Sequence, residues 1–299
     1  MQAIAAWLVA RPLNSIAVLA ATLLLPFRTM TSGATLVLLI LHSGAQKVAI
    51  YALAAAGFVV GLGYITGLAV AELTATVAAI WLPIGLLAML MRKTRSLTLT
   101  VQLSVVLAFA ALLVINVGLE DPGVVGNNWL DQMIAYFNEV GNHGQANILA
   151  DNRAELAPLV TLFIVLGVWL VYVMVLLFGY ALFRSLPGQS AIYGRFCDLS
   201  LGRVLALTAA VVLSLTLVSN AVLLQQLAIM CIAVFSVQGL ALMHWLQVER
   251  GLPMLVTIVV YLLLMPLAAI LGPLLAMTGY ADVWLDLRSR LAQRKPDKR

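Results

Sequence analysis

The sequence predicts an all-α, polytopic transmembrane helical bundle of about eight to ten membrane segments, some short or broken. Three observations carry this. Apolar residues make up 63% of the 299 and charged residues only 10%, a balance at which a soluble domain would expose large greasy surfaces. The apolar residues are gathered into successive runs, many near the twenty or so residues that cross a hydrocarbon core of about 30 Å. Lys and Arg fall between these runs and at the C-terminus, where they set orientation. The whole of 1–299 therefore reads as a single integral membrane domain, multi-pass, whose first partner is the lipid bilayer. The net charge of +5 does not point to nucleic acid, because orientation is the simpler cause of that distribution.

The first run, Ala3 to Leu25, contains Arg11 and Pro12, so the spanning part is expected to start near Pro12, a residue suited to a first helical turn. Segment follows segment after it, unlike a cleaved secretory signal, and the N-terminus is expected to be kept as a membrane helix. Gly33 to Leu41 is apolar but too short to cross, and predicts a half-helix or re-entrant piece, tolerated only under a cover of protein or around a water-filled cavity. Val48 to Leu68 carries Gly57, Gly61, Gly63 and Gly67, two GxxxG pairs offset by two residues. This reads as a helix-packing face within the bundle, with a homodimer seam as the alternative.

Thr74 to Met91 spans and ends in Arg92, Lys93 and Arg95, which places that loop in the cytoplasm. Leu97 to Leu119 crosses back and delivers the one long hydrophilic stretch, 120–156. That stretch is acidic, is expected on the periplasmic side, and contains a short amphipathic helix with Trp129, Leu130, Met133, Ile134 and Phe137 at helical spacing. Pro158 to Phe183 returns to a second basic loop holding Arg184, Arg195 and Arg203. Val204 to Val218 and Val222 to Leu246 form a hairpin turning at Ser219 and Asn220. The last run, Pro253 to Leu287, is too long for one straight crossing and is interrupted at Pro266 and at Gly272-Pro273. Counting crossings puts the basic tail 288–299 outside, whereas the charge rule wants it inside. Two short spans joined near Gly272 would satisfy both, and a cytoplasmic tail is preferred.

Polar residues inside apolar runs are the place to look for a site, because each costs free energy unless it finds a partner. Gln225, Gln226, Gln238 and His244 stand out. Gln225, Gln238 and Asn116 with Trp169 form the candidate ligand-binding set, against the alternative that the amides act as interhelical glue. His244 with Trp245 reads as an interfacial anchor. Asp282, Trp284, Asp286 and Arg288 read as helix-end pairs. Catalytic residues are not indicated: HExxH, GxSxG, paired intramembrane Asp and GxxxxGK[ST] are all absent, so the chain is expected not to be an enzyme. Cys197 and Cys231 have no metal-ligand spacing, and neither a metal nor a cofactor is expected. No Asp, Glu, Lys or Arg lies in mid-membrane, which disfavours proton-driven transport.

Several stretches taken together resemble one family. They are Ser32-Gly33-Ala34 through LVLLILHSGAQ, WLPIGLLAMLMRKTRSL from Trp81, GRFCDLSLGRVLAL from Gly194, SVQGLALMHWL from Ser236, and GYADVWLDLRSR from Gly279. In this order they are similar to the YybS-like bacterial membrane proteins, a domain-of-unknown-function family numbered 2232. Cys197 and Asp198 stand where that family is more basic and glycine-rich. The resemblance implies a bacterial inner (cytoplasmic) membrane location. At greater distance it implies an S-component-like bundle, the substrate-binding part of energy-coupling-factor transporters, which works with a membrane partner protein or transporter module. The functional expectation is a transporter-like substrate-binding membrane component for a small molecule. The alternative is a non-transporting scaffold or interaction protein in envelope biogenesis. Oligomeric state is left open.

Overall fold

A computed structural model describes residues 2–67, 69–118, 123–189 and 192–293. Among them the chain forms fourteen α-helices and no strand, the all-α architecture expected. Six of these helices are long and apolar enough to cross a membrane, or up to seven if a bent N-terminal pair counts as one span, and two further apolar helices are shorter. The protein is a multi-pass membrane protein whose helices meet lipid. The chain divides into two compact units, Met1–Ser104 with Leu170–Arg195 and Val105–Trp169 with Phe196–Arg299.

The first unit is built around a short helix. It contains α1 (Gln2–Ala10), α2 (Pro12–Leu24), α3 (Arg28–Ser43), α4 (Ala45–Ile65) and α5 (Val70–Thr94), with the start of α6 (Leu97–Gly118) and the end of α9 (Arg153–Arg184). α2 begins at Pro12 as expected, and the chain bends by 116° between α1 and α2. Pro12 has no N–H to offer Leu8 O, and the Ser15 hydroxyl donates to that carbonyl instead at 3.0 Å. α3 is 16 residues long, about 24 Å of helix, and every residue from Ser32 to Leu41 is buried. The short segment expected to need a protein cover has one. Two glycines let neighbours close on it. A Cβ at Gly33 would meet Ile84 and Val175, and one at Gly179 would meet Ala34 O and Val37. Trp81 Nε1 donates to Ser32 Oγ at 2.8 Å, and Arg92 Nη1 donates to Leu41 O and to Ile40 O at the helix end, the latter also accepting from Gly44 N.

The second unit has α11 (Val222–Arg250) and α13 (Ala268–Leu285) as its spine, with α7 (Val124–Glu139), α8 (His143–Asp151), α10 (Gly202–Thr216), α12 (Met254–Leu264) and α14 (Leu287–Gln293) around it. Small residues set the α11–α13 crossing: a Cβ at Gly239 would overlap Leu275 O, and one at Gly279 would overlap Phe235 O. Ser236 Oγ donates to Gly272 O across the same seam at 2.8 Å. Backbone contact through glycine therefore exists, but not at Gly57, Gly61 or Gly67 of the GxxxG stripe. That expectation is corrected. A Cβ at Gly57, Gly61 or Gly67 would meet nothing within 4 Å, and of the four only Gly63 is buried in α4. Gly67 lies past the helix end with φ +76 and serves its turn.

The break in the last apolar run also moves. It falls at Pro266, between α12 and α13, whereas α13 continues through Gly272-Pro273. The clash that drives a residue before proline out of the α region involves its Cβ, which Gly272 lacks. α12 climbs back along α11, since Thr257 Oγ1 donates to Gln247 Oε1 at 3.3 Å and His244 Nε2 lies 3.0 Å from Tyr261 Oη. α13 then descends parallel to α11, pairing Ser236 with Gly272 and Gln238 with Asp282. The two pieces form a hairpin that returns the chain to the end of the unit where α11 finishes. The acidic stretch 120–156 holds two helices rather than one, α7 and α8, with residues 120–122 outside the described set. α7 is seated on α9: a Cβ at Gly126 would overlap Ala157 O, and Arg153 reaches Asn127 Oδ1 at 2.9 Å and Asp131 Oδ1 at 2.7 Å.

Candidate functional site: two polar clusters and an apolar groove

Side chains near the start and at the middle of α11 build two polar clusters in the second unit. Gln226 is buried; its Oε1 accepts from Asn116 Nδ2 at 2.8 Å and its Nε2 donates to Pro158 O at 2.8 Å. Pro158 O belongs to the second turn of α9 and Asn116 to the last of α6. Gln226 thereby ties three helices together at the end that carries the acidic stretch. Twelve residues further along α11, about 18 Å away, Gln238 is fully buried. Its Oε1 accepts from Leu201 N at 2.9 Å and its Nε2 donates to Asp282 Oδ2 at 3.3 Å.

Asp282 continues the second cluster. Arg288 Nε lies 3.1 Å from Asp282 Oδ2, near enough for an ion pair though off line for a hydrogen bond, and Asp282 Oδ1 has no donor among the described residues. The Arg288 fork points at the loop before α10: Nη1 donates to Cys197 O and Nη2 to Leu199 O, each at 2.8 Å. Loop 197–201 is thus held at its carbonyls by Arg288 and at its last N–H by Gln238. Cys197, Leu242 and Trp245 bury against one another beneath it, with Leu287 and Leu291 of α14 packed on them. An Asp–Arg pair taken out of water needs such added hydrogen bonds to offset its desolvation.

Measured against the candidate ligand set, Asn116 and Gln238 are buried or half-buried as expected, but they do not converge. Asn116 pairs with Gln226, and Gln238 with the Asp282 cluster. Gln225 is exposed, and Trp169 is buried in α9. The phase of α11 separates the two glutamines: Gln226 precedes the fully buried Met230 by four residues, on the row that leads through Val234 to Gln238. Asp282 and Arg288 are more than helix-end pairs, since they bridge α13 to a loop some ninety residues earlier. His244 and Trp245, adjacent in sequence, meet different neighbours. His244 packs between Phe196 and Tyr261, while Trp245 belongs to the Cys197 cluster. Among the described residues no three of His, Cys, Asp and Glu come together as metal ligands.

An apolar opening lies elsewhere, in the first unit. It is a groove of about 450 Å³ between α4 and α5, floored by Leu36 and Ile40 of α3. Comparison of the chain with protein-family models, curated proteins and solved structures gives no match, so any function has to be argued from these features.

Proposed function

We propose that the protein is a scaffold of the bacterial inner membrane, acting through contacts with other membrane proteins rather than carrying a polar solute. One observation supports this reading above others: the buried amides of Gln226 and Gln238 and the half-buried amide of Asn116 are engaged with groups of the same chain. A binding protein for a polar solute keeps convergent polar groups for its ligand, and these are already spent on helix ends and a loop. The test is native mass spectrometry of the protein extracted in mild detergent. A scaffold should release no stoichiometric polar small molecule, whereas a defined extra mass that exchanges with added solute would overturn the reading.

A second reading keeps the transporter-like substrate-binding component, in line with the resemblance to YybS-like proteins and, distantly, to S-components. It rests on the groove between α4 and α5, whose 450 Å³ lies within the roughly 300–1,000 Å³ of small-molecule sites. Its substrate would be apolar in the part that enters. Purification with a transmembrane partner and an ATPase would favour this reading over the first.

A further inference from the structure

We propose that the groove between α4 and α5 and the basic recess at its end together bind one anionic phospholipid of the surrounding bilayer, acyl chain in the groove and phosphate in the recess. The groove is shaped by what α4 lacks. Ala49, Ala52 and Ala56 line its wall at helical spacing, leaving a trough where longer side chains would fill the space. Its polar groups are already used: Thr74 Oγ1 donates to Val70 O and Ala71 O, and Trp81 Nε1 to Ser32 Oγ. Such a surface accepts hydrocarbon and offers nothing to a polar solute.

The recess, about 510 Å³, shares Ala45 and Met89 with the groove and is lined beyond them by Lys47, Arg92 and Lys93. Lys47 and Lys93 are exposed. Arg92 is fixed by its bonds to Ile40 O and Leu41 O, and its Nη2 lies over Gly44, where a Cβ would sit 3.3 Å away. The first turn of α4 opens here without a side-chain cap, so its free N–H groups add to the positive field. The first unit has a single acidic residue, Glu72, twenty residues and about 30 Å up α5 from Arg92. Three cations with no acidic residue of their own unit nearby, at the mouth of a trough that takes only hydrocarbon, match an anionic head on an acyl chain. Basic pockets between membrane helices recognise such lipids.

The experiment is lipid titration of the intact protein in detergent, read by native mass spectrometry, with phosphatidylglycerol, phosphatidylcholine and inorganic phosphate as probes. Wild-type protein should bind phosphatidylglycerol about tenfold more tightly than phosphatidylcholine, since each nearby cation contributes a severalfold factor, and should not retain phosphate alone. Lys47→Glu with Lys93→Glu, on exposed side chains, should erase the headgroup preference while leaving the melting temperature unchanged. Ala52→Phe should weaken both lipids together by filling the trough. Equal binding of the two lipids by wild type, or a preference that survives the double reversal, would overturn the proposal. So would phosphate binding that ignores Ala52→Phe, or an Ala52→Phe variant that changes oligomeric state instead of lipid stoichiometry, which would make the groove a helix-docking face.

Discussion

Arg288 shows how much a single side chain does here. Three of its nitrogens face Asp282 Oδ2, Cys197 O and Leu199 O, and its side chain is 14% exposed. Arg288→Met should therefore lower the stability of the detergent-solubilised protein by about 3 to 5 kcal/mol, the usual cost of leaving a buried partner charge uncompensated; chemical denaturation followed by circular dichroism would measure it. Asn116→Leu is milder. It strands Gln226 Oε1 and should cost roughly 1 to 3 kcal/mol in the same measurement, while Gln225→Leu, at an exposed position, should cost almost nothing. The sequence makes the polar residues of α11 conspicuous, because amides in an apolar run demand partners. It does not name those partners. Gln226 and Gln225 are adjacent letters, and only the burial of Met230 and Val234 on one helix row tells which of them faces inward. That Asp282 and Arg288 reach back to Cys197 and Leu199 is a tertiary fact with no local signature.

Among the elements, the two glycine patterns make opposite demands. Gly279→Leu should abolish folded yield, because Phe235 O and Gly239 N occupy the space a side chain would need. Gly61→Leu should leave the monomer's yield unchanged, since nothing lies within 4 Å of its Cβ; size-exclusion chromatography after expression compares the two. Loss of yield at Gly61→Leu, or dissolution of a dimer, would show that the outward stripe meets another chain. A GxxxG pair says that a backbone can approach closely, not that one does. The spans α5, α6 and α9 and the hairpin of α10 and α11 were legible because long apolar runs bounded by Arg or by turn residues leave little choice. α3 was legible only as too short. Its burial on all sides depends on Gly33 and Gly179, which look like any other membrane glycines until their neighbours are known.

At the scale of the whole molecule, the hairpin of α12 and α13 is the arrangement that a cytoplasmic tail asks for, one short piece running back along α11 and one running with it. α14 packs on Trp245 and Cys197, so residues 287–293 lie at the same end of their unit as loop 197–201, the side that the charge rule would put in the cytoplasm through Arg203. In a background without Cys197 and Cys231, a cysteine at Asn128 should react with an impermeant thiol reagent added from the periplasmic side, and one at Ser289 should not; labelling of both would reverse the assignment. The scaffold reading depends on the amides serving the fold, and Gln238→Leu tests that most directly. The substitution roughly keeps the volume but leaves Leu201 N without an acceptor and Asp282 Oδ2 without its amide donor. Thermal unfolding in detergent, with native mass spectrometry on the same sample, should show a clear fall in melting temperature, a loss of about 1 to 3 kcal/mol, and no change in bound polar molecules. An unchanged or raised melting temperature together with the loss of a co-purifying molecule would contradict it.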